Sequence, residues 1–88
     1  MFSLSGYEKM ENVEIPDTMS VISYAMFEKC SNLTKIQLPN SITKIEDSAF
    51  YECKKLKKII IPTRVTSIGH GMKLPHVHFH QIHSIHLV

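Results

Sequence analysis

Eighty-eight residues with a formal net charge of +2 make one small domain or a piece of a larger array, a size at which a single core is marginal unless something staples or extends it. Its two cysteines, Cys30 and Cys53, are too few for a secreted disulfide scaffold, and no paired Cys-x-x-Cys spacing points to zinc, so both read as buried thiols. The longest apolar run, Ile59-Ile60-Ile61, falls far short of the roughly 20 residues that cross a bilayer, so no membrane span is expected.

The charge is unevenly spread. Residues 1–52 hold all eight acids against four lysines, a net of −4, whereas residues 53–88 hold six basic residues and no acid, a net of +6. The opening stretch, MFSLSGYEKMENVEIP, lacks the basic start and apolar run of a secretory signal. It places apolar or aromatic side chains at Leu4, Tyr7, Met10 and Val13, a spacing that only the rest of the chain explains.

Sliding the chain along itself until Ile15 falls on Leu38 superposes Ile15-Pro16 on Leu38-Pro39, and the same shift again reaches Ile61-Pro62. Ile22 then falls on Ile45 and Ile68, Phe27 on Phe50, Cys30 on Cys53, Leu33 on Leu56 and Ile36 on Ile59, while Met19, Ile42 and Val65 form another column. Leu4, Tyr7, Met10 and Val13 fall under the Phe, Cys, Leu and Ile columns, so residues 1–14 form a partial unit. Units 15–37 and 38–60 follow, then an incomplete unit 61–72 and a His-rich tail, 73–88.

Within a unit, Ile36 and Leu38 alternate, as do Ile59 and Ile61, the period-2 pattern of a short strand with one buried face. Pro39 and Pro62 end these strands because proline cannot donate to a ladder, and Pro39-Asn40-Ser41 is favourable turn chemistry. A second extended step, Ile42 to Ile45, leads to an expected tight helical or 3₁₀ turn around Ser48–Cys53. A coil of this size cannot bury its apolar face alone, so the units are expected to stack as a solenoid with short parallel strands, Phe on Phe and Cys on Cys.

These residues resemble the BspA-type (Treponema-type) leucine-rich repeat, whose unit looks like L-x-x-I-x-I-P-x-x-(V/I)-x-x-I-x-x-x-A-F-x-x-C. LTKIQLPNSITKIEDSAFYEC, 33–53, matches it almost throughout, and IPDTMSVISYAMFEKC, 15–30, matches with Met26 in the alanine place. The resemblance covers about residues 3–72. It implies a leucine-rich-repeat solenoid, α/β-type or mainly β, of the kind found in cell-surface proteins that bind host proteins or other cells. It also implies no catalytic residue in the repeat and structural roles for the Leu, Ile, Phe and Cys columns.

After Ile68 the register fails: Lys73 falls in the Phe column and His76 in the Cys column. A three-residue slip places Phe79, Ile82, Ile85 and Leu87 in the Cys, Leu, Ile and Ile columns, which reads IHSIHLV as a last, degenerate strand. A truncated or degenerate repeat fragment with no independent activity is therefore the alternative to a binding module.

Solenoids bind through outward positions between the buried residues of the concave strand. The strand positions here are Glu11, Asn12 and Glu14, then Thr34, Lys35 and Gln37, then Lys57, Lys58 and Ile60. Lys35, Gln37, Lys57, Lys58 and Ile60 are the candidate ligand-binding residues, for a protein or glycan partner. In KKLKK, 54–58, Leu56 belongs to the core column, so the four lysines flank a buried residue. With Phe79 the only aromatic in the basic half, no nucleic-acid partner is expected.

His76, His78 and His80 alternate, with His70, His83 and His86 nearby, and in an extended segment three imidazoles on one face can converge on zinc, nickel or copper. No Cys, Asp or Glu lies near to complete or orient such a site; a polar tail is favoured, with no cofactor or metal. No nucleophile with base and orienter can be assembled, so the chain is not expected to be an enzyme. Open sheet edges and halves of opposite charge favour head-to-tail self-association.

Overall fold

Residues 4–71 are described by the computed structural model, together with the backbone of 76–79 and 86–87. Among them lie eight short strands and no helix: β1 Asn12–Glu14, β2 Val21–Ile22, β3 Lys35–Gln37, β4 Lys44–Ile45, β5 Lys58–Ile61, β6 Ser67–Ile68, β7 His76–Phe79 and β8 His86–Leu87. Every pairing is parallel. β1 lies beside β3 with Val13 opposite Ile36, and β2, β4 and β6 follow one another with Ile22, Ile45 and Ile68 in line. Each of these steps is the full period of the sequence, the same 23 residues that separate Thr43 from the Ser20 carbonyl its hydroxyl meets.

The odd-numbered strands form the first step of each coil, and the even-numbered strands the second. The second column runs unbroken as β2-β4-β6-β8, whereas the first is divided into β1-β3 and β5-β7, with no ladder between β3 and β5. Each proline that ends a first-column segment turns the chain in the same way. The carbonyls of Pro16, Pro39 and Pro62 accept the N–H three residues on, from Met19, Ile42 and Val65, which closes a β-turn without using the donor that proline lacks.

The interior consists of the repeated columns. Phe27, Phe50, Cys30, Cys53, Leu33, Leu56, Ile22, Ile45, Ile59 and Ile61 are all buried, and no polar or charged side chain among the described residues is buried with them. Ile36 and Leu38 are only partly buried, packed against the edge of this core. The rings of Phe27 and Phe50 stack with centroids 5.5 Å apart and planes 5° from parallel, a contact that adds roughly 0.5–1.5 kcal/mol beyond its buried area.

The expected helical or 3₁₀ turn around Phe is not present. Residues 24–29 and 47–52 are runs of turns in which alternate N–H groups point in different directions. Met26, Glu28 and Cys30 donate to the carbonyl three residues back, while Ala25, Phe27 and Lys29 donate to Asp47, Ala49 and Tyr51 of the next coil. A helix would consume all of these donors locally and leave the neighbouring coil unpaired.

Turning every second peptide outward requires left-handed residues. They recur in two columns: Gly6 (φ 75), Lys29 (φ 60) and Glu52 (φ 58), then Ala25 (φ 55), Ser48 (φ 57) and Gly71 (φ 87). This conformation costs a non-glycine residue about 1–2 kcal/mol, which the intercoil hydrogen bonds and core burial offset.

Beyond Ile68 the chain keeps both columns but shortens its path. Lys58 pairs with His76 and Ser67 with His86, so both columns advance by less than a full period. The step from β6 to β7 is five residues shorter than the step from β4 to β5. Leu87 stands beside Ile68 in the second column, rather than in the first-strand column where the three-residue slip puts it; Ile82 and Ile85 lie outside the described residues.

Gly69 is set by space rather than by φ. A Cβ there would lie 2.6 Å from the Asp47 backbone nitrogen and 2.9 Å from the Glu46 carbonyl carbon, so Gly69→Ala is expected to destabilise by about 1–3 kcal/mol. Lys29→Gly relieves a left-handed side chain while making the unfolded chain more flexible, and is expected to leave stability unchanged or slightly raised. Thermal melts by circular dichroism check both: at about 4–8 °C per kcal/mol, Gly69→Ala should melt several degrees low, whereas a comparable fall for Lys29→Gly would contradict the turn geometry.

Candidate binding face

Alternation along the first-column strands decides which side chains reach solvent. In β5 the order is exposed, buried, exposed, buried: Lys58 and Ile60 point out while Ile59 and Ile61 point into the core. β3 follows the same rule, with Lys35 and Gln37 exposed on either side of Ile36, as does β1 with Asn12 and Glu14 about Val13.

Stacking by one repeat arranges the outward side chains in three rows across the strands. One row reads Asn12, Lys35, Lys58, another Glu14, Gln37, Ile60, and just before the strands a third reads Glu11, Thr34, Lys57. All five candidate residues, Lys35, Gln37, Lys57, Lys58 and Ile60, line one open depression of about 1240 Å³, together with Leu38, Pro39 and Pro62 at its end. This exceeds the roughly 300–1,000 Å³ of small-molecule pockets.

The face is polar at one edge and partly apolar at the other. Ile60 is 51% exposed, a large aliphatic side chain with no packing duty. Among the described residues the ion pair is Lys44–Glu46, 3.7 Å apart and away from this face, so Lys35, Lys57 and Lys58 stand without a carboxylate partner. Thr34 is engaged in structure: its N–H and hydroxyl both donate to the Glu11 carbonyl, at 2.9 and 3.1 Å.

A second, smaller depression of about 520 Å³ lies over the second column, lined by Tyr24, Glu46, Asp47 and His70 among others. Its polar groups hold backbone. Glu46 accepts the Tyr24 N–H at 3.1 Å, and Asp47 accepts the His70 N–H at 2.9 Å. Sequence reasoning passes over this site, and the carboxylates there act as substitutes for missing ladder acceptors.

The cysteines are free and buried. Cys53 donates its S–H to the Phe27 carbonyl at 2.9 Å and Cys30 donates to the Leu4 carbonyl at 3.1 Å, so each thiol ties its coil to the one before it. Burial pushes the Cys53 thiol up to about 11 and raises that of Cys30 as well. Neither is an activated nucleophile.

Among the described residues, no three His, Cys, Asp or Glu side chains gather as a metal site, and no helix is long and apolar enough to cross a membrane. The side chains of His76, His78, His80, His83 and His86, the alternative metal reading, lie outside the described residues.

The repeat columns, the parallel ladders and the outward rows converge with one comparison. The family model for the BspA type leucine rich repeat region matches residues 2–85, in six copies. The chain belongs to the BspA-type leucine-rich-repeat family. No curated protein and no solved structure matches it. The match runs past residue 72 into the His-rich segment that the sequence columns leave aside, in agreement with the pairing of β7 and β8 onto the stack. BspA-type repeats, like leucine-rich repeats in general, are usually non-enzymatic interaction modules.

The raised thiol has a consequence for stability. The unfolded Cys53 ionises near its ordinary value of 9.0 and the folded one near 11, so the folded state is disfavoured as pH rises through that interval. Urea melts at pH 8 and at pH 10.5 should show the wild type losing stability, with the loss reduced in Cys53→Ala; an identical loss in both would assign the effect elsewhere.

Proposed function

We propose that this chain is a non-enzymatic interaction module, a stack of BspA-type repeats that presents the outward rows of its first-column strands to a protein or glycan partner. The observation that carries the reading is the depression over β1, β3 and β5, where unpaired lysines adjoin an exposed isoleucine. What supports the reading is that exposed charge and an exposed aliphatic side chain lie together in one concave depression, on side chains free of packing. Lys35, Gln37, Lys57, Lys58 and Ile60 are the contact residues, and the family resemblance favours a setting at a cell surface.

Self-association is a second reading favoured by a specific feature. Among the described residues β1 and β2 stand at one end of their sheets and β7 and β8 at the other. Open edges of this kind recruit strands from another chain, and the acidic first half against the basic second half orients copies head to tail. Light scattering at low and high salt tests it: assembly at low salt that dissolves at high salt supports it, and a monomer under both conditions removes it.

The binding face is tested on arrays of peptides and oligosaccharides probed with the wild type, Lys58→Glu and Ile60→Asp. Both substitutions fall on exposed positions and should leave the melting temperature within about 2–4 °C of wild type, in line with the ±0.5 kcal/mol of ordinary surface changes. Specific captures by the wild type should weaken at least tenfold in both variants. An unchanged capture pattern would overturn the assignment of this face.

A further inference from the structure

The three rows of the face share one trend, and it is a trend in charge. Moving from β1 through β3 to β5, Asn12 gives way to Lys35 and Lys58, Glu14 to Gln37 and Ile60, and Thr34 just before β3 to Lys57 just before β5, all of them lining the depression. Glu11, exposed just before β1, stands outside its lining. Carboxylates stand at the β1 edge and ammonium groups at the β3 and β5 edge. None of these lysines is within ion-pair distance of a carboxylate among the described residues, so the separation is not cancelled within the fold.

We infer that the face selects an extended peptide segment whose charge changes sign along its length, acidic over Lys35, Lys57 and Lys58 and basic over Glu14. This rests on the proposed binding face and names the partner's chemistry. The scale follows from the strand spacing. Paired strands lie about 4.8 Å apart, and β3 and β5, which carry no ladder, are at least as far apart, so β1 to β5 spans about 10 Å or more, roughly three residues or more of extended chain at about 3.3 Å each. A segment running across the strands therefore changes sign over that length.

Two further features fit a peptide. The depression extends over β1, β3 and β5, an open surface on which a segment of extended chain can lie. Ile60, 51% exposed, together with Leu38, Pro39 and Pro62, offers apolar contact to a side chain placed among the charges.

Other polyanions fit less well. A sulfated glycan or a nucleic acid carries one sign throughout, and the part lying over β1 would meet Glu14. Among the described residues that line it, the face also presents no aromatic side chain for stacking on a base. Exposed charge pairs are individually weak and screened by salt, so the selection arises from their number and polarity and disappears at high ionic strength.

Fluorescence anisotropy with the 88-residue protein tests the inference using four probes. They are the blocked peptide Glu-Glu-Glu-Pro-Ile-Pro-Lys-Lys-Lys, its isomer with alternating charges Glu-Lys-Glu-Pro-Ile-Pro-Lys-Glu-Lys, a nonapeptide of glutamates, and a heparin octasaccharide. The blocked peptide is expected to bind about tenfold more tightly than its isomer at low salt, and the gap should close in 0.5 M salt. Glu14→Lys should strengthen binding of the all-glutamate peptide and narrow its deficit against the blocked one.

Binding of the two isomers within twofold of each other overturns the inference, as does tighter binding of the octasaccharide than of the blocked peptide. If the isomers bind equally yet both are lost in Ile60→Asp, charge polarity fails and the binding face stands. If no probe binds a chain that still melts cooperatively, the face itself fails along with the inference.

Discussion

The constraint on which the rest of this protein depends is the hydrogen-bonded translation of one coil onto the next. Strands of two to four residues have no stability alone, and here each finds its partner one repeat away in the chain. Once the backbone commits to that translation, the inward positions acquire neighbours of similar kind: phenylalanine stacks on phenylalanine and isoleucine on isoleucine. Threonine shows how closely side chains follow. Thr34, Thr43 and Thr66 each send both N–H and hydroxyl to a single carbonyl one coil back, so a β-branched polar residue doubles the ladder at the points where the chain enters a strand.

The same translation explains what can and cannot be read from the amino-acid order. Columns are legible because burial repeats residue types: all of Phe27, Phe50, Cys30, Cys53, Leu33, Leu56 and Ile59 lie inside. The turn around Phe reads as helical in the sequence because its three-residue spacing is shared by 3₁₀ geometry. What decides between them is the destination of alternate N–H groups, a long-range property. A local signal does exist: Gly6 and Gly71 each occupy a column whose other members, Lys29 with Glu52 and Ala25 with Ser48, carry positive φ. One glycine per column, read through the repeat, announces a left-handed position that the other residues conceal.

The face is legible for a different reason. Alternation alone places Lys35, Gln37, Lys58 and Ile60 outward, because a strand with one buried side has no other choice. The break between β3 and β5 is not legible, since both carry the same pattern. Its surroundings are physical rather than sequential: Ile59 and Ile61 are fully buried while Ile36 and Leu38 are only partly so, and Lys35 and Lys58 fall in the same row on adjacent strands. Like charges placed opposite one another disfavour pairing. The shortened final coil is likewise hidden, because pairing tolerates the loss of five residues from a turn while keeping both strand columns.

Core and face therefore answer to separate demands. The inward columns must repeat, since each side chain packs on its counterpart one coil away, whereas the outward rows meet only solvent or a partner and are free to change from coil to coil. That freedom is what allows glutamate just before β1 to become lysine just before β5, both of them exposed, while the columns beneath stay buried. A partner that bound the outward rows would stabilise the fold by mass action without any change in the core.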